Sequence, residues 1–140
     1  MAKQYSGPVP AKLTLLANLK EFSTGDKVRF LGCVTSYNRK SAILTLEHNF
    51  PVGNLLKAEV NIQLLIGGLT SQETRVGEWV NVMGYIESID QVRSTRSFDS
   101  NVGVPVQAVV LWTSGPIHLD LYERSLTSHD QEVSTGKKAC

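Results

Sequence analysis

The chain has 140 residues, a formal net charge of +1, 41% apolar residues and 19% charged ones. This is one domain's worth of sequence with enough apolar content for a real core, which argues against disorder. The near-zero charge excludes a strongly basic protein that grips nucleic acid by bulk electrostatics, so any such contact must come from a local patch or a partner.

Residues Met1–Pro10 lack the apolar stretch of a signal peptide, and no run approaches membrane-spanning length. Neither Cys33 nor Cys140 belongs to a C-x-x-C pair, so a reducing compartment fits best and the expectation is a soluble, intracellular protein. Residues 1–12, with Pro8 and Pro10, read as an irregular lead-in. Leu13, Leu15, Leu16 and Leu19 form either a short amphipathic turn of helix or an apolar strap. Thr24-Gly25-Asp26 is turn chemistry that opens a first strand, Asp26 to Tyr37, with Val28, Phe30, Gly32 and Val34 on one face. A polar turn, Asn38-Arg39-Lys40, leads to a second strand from Ser41 to Glu47. The third has the cleanest alternation, with Ala58, Val60, Ile62, Leu64 and Ile66 sharing one face until Gly67-Gly68 ends it. Between Leu69 and Gly77 there is room for one helical turn at most.

A fourth strand runs from Glu78 to Asp90 with Val80, Val82 and Ile86 inward and a central Gly84. The polar loop Gln91 to Gly103 precedes a fifth strand, Val104 to Trp112. Ser114-Gly115-Pro116 then opens a helix over about 117–128, where Leu119, Tyr122 and Leu126 form a stripe, Leu121 lies beside it, and Asp120, Glu123 and Arg124 sit elsewhere around the axis. Residues 129–140 read as a flexible polar tail.

Five strands, two with a mid-strand glycine that permits a sharp bend, and no long crossover helices predict an all-β fold. The fold class is a five-stranded OB-type Greek-key barrel with a C-terminal α-helix, one domain over residues 13–128. A β-sandwich is the main competitor, but it normally needs about seven strands.

An OB barrel binds through the loops between strands 1 and 2 and between strands 4 and 5. Here the first loop carries Arg39 and Lys40 behind Tyr37, and the second carries Arg93, Arg96 and Phe98. Cations for phosphates beside aromatic faces for bases are what single-strand binders use. Exposed turns are also commonly basic and polar, and Tyr37 packing on the barrel is the alternative reading. Phe30 reads as core and Trp112 as an anchor for the helix, while Trp79 and Tyr85, on the face of the fourth strand opposite Val80 and Val82, form a stacking platform or a protein-contact face unless Trp79 is simply a lid on one barrel end. The helix stripe either caps its own barrel or meets another subunit. His48, His118 and His129 are scattered without metal-ligand spacing, and there is no phosphate-cradling loop or nucleophile elbow. No metal, cofactor or enzymatic activity is expected.

The runs Lys27-Val28-Arg29-Phe30-Leu31-Gly32-Cys33-Val34 and Leu44-Thr45-Leu46-Glu47-His48 resemble the smallest subunit of the CST telomere-capping complex of filamentous fungi. So do Trp79-Val80-Asn81-Val82-Met83-Gly84-Tyr85, Val109-Val110-Leu111-Trp112 and Leu121-Tyr122-Glu123-Arg124-Ser125-Leu126. The likeness extends from about Pro8 to Leu126. It implies a non-enzymatic nuclear protein at telomeres, forming a heterodimer with the middle OB-fold CST subunit and reaching the large subunit through it. It further implies that the helix packs on the partner through Leu119, Leu121, Tyr122 and Leu126, and that the complex holds the G-rich single-stranded overhang. Two rivals remain: a pure protein-interaction module, and a general OB subunit acting in replication or on RNA.

Overall fold

The computed structural model describes residues 10–88 and 103–127. Among the described residues six strands form one sheet: β1 (Lys12–Leu13), β2 (Lys27–Asn38), β3 (Ile43–Glu47), β4 (Lys57–Asn61), β5 (Trp79–Ile86) and β6 (Val104–Thr113). Their order is β1-β2-β3-β4-β6-β5, and β5 returns to β2, so strands β2 to β6 close into a barrel with β1 added at its rim. Pairing is antiparallel except where β1 runs with β2 and β4 with β6.

Closure depends on β2. Its first half, Lys27 to Cys33, pairs with β5, and its second half, Cys33 to Asn38, pairs with β3. One strand can serve two neighbours only by curling, and a bulge between Val34 and Ser36 helps it do so. Gly32 lies at the bend, where an added Cβ would stand 2.8 Å from the Leu46 Cβ. On the other side of the barrel, Gly84 marks the bulge in the β5–β6 pairing. An added Cβ there would run into the Gln107 carbonyl and lie 2.9 Å from the Ala108 Cα.

Inward residues alternate along the strands, as period-two patterning requires, and fill the barrel with Phe30, Leu44, Leu46, Val60, Val82 and Val106 among others. Leu16 and Leu19 belong to the same core; they sit on a 3₁₀ helix, Leu16–Glu21. The lead-in is therefore ordered at its end, since Lys12 and Leu13 pair with Val28 and Arg29.

The third strand is shorter than its alternation suggests. It stops at Asn61, whose side-chain oxygen accepts the Gln63 N–H at 2.9 Å and turns the chain into a second 3₁₀ helix, Gln63–Gly68. Leu64 and Ile66, expected to continue the face shared by Ala58, Val60 and Ile62, are 70% and 46% exposed. Helix α1 spans Leu119–Ser125, within the expected range. It covers the outside of the barrel wall. Leu31 and Cys33 point away from the core cluster yet are fully buried, and Tyr122 of α1 lies against the Leu31 backbone.

Candidate nucleic-acid interface

The turn between β2 and β3 is fixed by Asn38, whose side-chain oxygen accepts the N–H groups of Lys40 and Ser41 at 3.0 and 3.1 Å. That places Tyr37 at the end of the strand, half-buried against the core, and leaves Arg39 and Lys40 exposed at the tip. Tyr37 and Arg39 form one wall of an open cleft of about 440 Å³, lined also by Ile62, Ile66, Leu69, Thr70, Ser71 and Thr74. An aromatic face, a cation, an apolar wall and three hydroxyls thus surround one concavity. Lys40 is not among the lining residues, and Arg93, Arg96 and Phe98 lie outside the described residues.

The far rim of the cleft is a self-contained knot. Thr70 donates both its N–H and its hydroxyl to Glu73 Oε1, at 2.8 and 2.7 Å, while its Oγ1 accepts the Gln72 N–H at 3.2 Å. The hydroxyl bond holds the Glu73 carboxyl below its usual range, against a smaller opposing effect of burial. The Glu73 charge is therefore turned toward Thr70. This segment played no part in the expected site. Its signal was the spacing Thr70-x-x-Glu73, a capping pattern that here ties a turn and starts no helix.

A second constellation fixes α1. His48, just beyond β3, donates from Nε2 to Glu123 Oε2 at 2.8 Å, and both side chains are buried. The His48 ring also meets Trp79 edge-on at 5.4 Å, stacks near Phe50 at 6.2 Å and tilts against Tyr122 at 6.2 Å. Glu123, read as lying away from the apolar stripe, is the one fully buried residue of the helix. Trp79, read as a lid on a barrel end, packs edge-on against His48. Burial pushes the Tyr122 phenol up to about 12, opposed by the Leu31 backbone and the charge of Arg29. Its hydroxyl is buried near that backbone without a well-formed hydrogen bond among the described residues. Tyr122 thus packs on its own barrel, Leu119 and Leu126 are half-buried, and Leu121 faces outward at 54% exposure.

The outer wall of β2, β5 and β6 carries a third feature. Lys27 Nζ sits 5.9 Å from the Tyr85 ring centre and the Arg29 guanidinium 5.5 Å from that of Trp112. Trp112, expected to anchor the helix, lies under Arg29. Among the described residues no group of three or more His, Cys, Asp or Glu is placed to hold a metal, and no helix is long and apolar enough to cross a membrane.

Comparison with known proteins agrees with this architecture. The family model described as "Ten1: Telomere capping, CST complex subunit" matches residues 1–127. No match to a curated protein is found. The chain is similar to one in the crystal structure of the Schizosaccharomyces pombe Stn1–Ten1 complex, at 22% identity and TM-score 0.64, over 86% of this chain and 91% of that one. It is also similar to S. pombe telomere capping protein Ten1, at 21% identity and TM-score 0.62, over 84% and 94%. A chain of Ustilago maydis replication protein A bound to single-stranded DNA follows at 18% identity and TM-score 0.54, over 84% and 86%. These likenesses establish the OB fold.

Proposed function

Since the chain belongs to the Ten1 family of telomere-capping CST complex subunits, we propose that it heterodimerises with the middle, Stn1-type subunit and helps hold the single-stranded G-rich overhang at telomeres in the nucleus. Its role is binding and positioning, without catalysis. The similar S. pombe chain was solved as a Stn1–Ten1 complex, which supports the partner, and the similar replication protein A chain was solved on single-stranded DNA, which supports the ligand class.

The observation that carries the reading is how α1 is held. The buried His48–Glu123 bond locks it on the barrel while Leu121 stays outside, so a preformed helix presents an apolar side chain to a partner. Leu119 and Leu126 extend that surface, and the wall bearing Tyr85 and Trp112 offers further contact area. Tyr122 contributes from below by fixing the helix. Tyr37, Arg39 and Lys40, together with Arg93, Arg96 and Phe98, supply the strand contacts.

Co-expression with the middle subunit, followed by size-exclusion chromatography with in-line mass determination, tests this. A one-to-one complex is expected, lost on Leu121→Asp with the thermal unfolding of the free chain unchanged. A chain that stays monomeric beside that subunit removes the partner assignment.

A further inference from the structure

Resting on the reading that the complex holds single-stranded DNA, we propose that the cleft between the β2–β3 turn and residues 62–74 receives one nucleobase turned out of the strand. Arg39 takes the adjoining phosphate. This brings into the binding path a chain segment that belongs to neither of the loops an OB barrel ordinarily uses.

The volume is suitable. A cleft of about 440 Å³ falls within the range of concavities that enclose small ligands, roughly 300–1,000 Å³. Its chemistry also matches a base better than it matches a purely apolar guest. Tyr37 offers a ring face, and Ile62, Ile66 and Leu69 give an apolar wall, which suits a flat heterocycle of any sequence. The rim adds hydroxyls. Those of Thr70 and Thr74 already donate to Glu73 and to the Ser71 carbonyl. The Ser71 hydroxyl makes no such bond among the described residues and is free to meet a base edge.

Charge selects the occupant. Arg39 lines the cleft, and exposed Lys40 and Arg75 flank it in sequence. No acid is among the lining residues, and Glu73, between Thr70 and Thr74 in sequence, has its carboxylate engaged by Thr70. An anionic chain carrying flat aromatic groups fits this arrangement, and an acidic peptide supplies the charge without the flat groups.

The test compares two neighbours on the same 3₁₀ helix. Ile66 lines the cleft; Leu64 does not, and both are exposed enough to accept a carboxylate without unfolding the barrel. A labelled G-rich single-stranded DNA oligonucleotide is titrated into the full chain, assembled with the middle subunit where the two co-purify. Ile66→Asp is expected to weaken binding about tenfold, the loss of roughly one stacked base, and Leu64→Asp less than twofold. In the unmutated protein, one abasic position should weaken binding by a similar factor, and the same abasic oligonucleotide should cost Ile66→Asp nothing further. Equal losses from both carboxylates mean general repulsion and overturn the cleft, as does an abasic scan with no sensitive position. Binding that Ile66→Asp leaves intact overturns the cleft alone. An unmutated complex that binds no oligonucleotide overturns both the cleft and the DNA half of the proposed function.

Discussion

Replacing Glu123 by Ala removes a buried link between α1 and the barrel. The substitution removes the carboxylate 2.8 Å from His48 Nε2 and leaves the imidazole in a dry site walled by Phe50, Trp79 and Tyr122. Removing one member of a buried pair costs about 3–5 kcal/mol, because the other loses the interaction that offsets much of its desolvation. A domain of this size is stable by only about 5–15 kcal/mol, so the loss is a large share of the total. Glu123→Gln keeps the shape and an acceptor oxygen, and should cost about 1 kcal/mol. Replacing His48 and Glu123 together by leucines removes both polar groups, so the double variant should be more stable than the sum of the singles predicts. Urea unfolding gives the global cost, and tryptic cleavage after Arg124, an exposed α1 residue, reports local release of the helix. A Glu123→Ala loss below about 0.5 kcal/mol, with no gain in cleavage, would refute the claim that this pair anchors the helix.

Gly84→Ala pushes a Cβ into the Gln107 carbonyl and should cost about 1–3 kcal/mol in urea unfolding, while Gly68→Ala, with nothing within 4 Å, should be close to neutral. The Tyr122 phenol, raised from 10.0 to about 12 by burial, favours the folded state in its neutral form. Its contribution is complete below pH 10 and disappears as pH rises through about 12. In an ultraviolet titration Tyr122→Phe should abolish a late-titrating phenol and flatten the alkaline loss of stability. If Arg39 and Lys40 each meet a phosphate, changing both to Ala should reduce the salt slope of single-strand binding by about 1.4, at roughly 0.7 per contact. An unchanged slope removes both from the interface.

What could be read from the residues divides along a physical line. The barrel was legible because it rests on local period-two patterning in β2, β5 and β6 and on glycines where strands must bend. The alternation in the third strand misled at Leu64 and Ile66, since one short-range bond from Asn61 to the Gln63 N–H overrides the pattern and ends the strand. The Tyr37–Arg39 half of the cleft followed from loop composition, whereas its other half depends on where residues 62–74 fold back, which no local pattern encodes.

Glu123 shows the limit most sharply. A carboxylate on a short helix normally marks the wet face, and a partner 75 residues away in sequence helps make its burial tolerable. The same long-range bond changes how the helix must be probed. Tyr122 and Leu126 belong to one stripe by spacing, and a charged substitution at Tyr122 looks like an interface test. With Tyr122 packed between His48 and the Leu31 backbone, that substitution would release the helix and abolish any partner contact indirectly. Leu121, outside the stripe and open to solvent, is the position where loss of a partner and loss of the fold can be told apart.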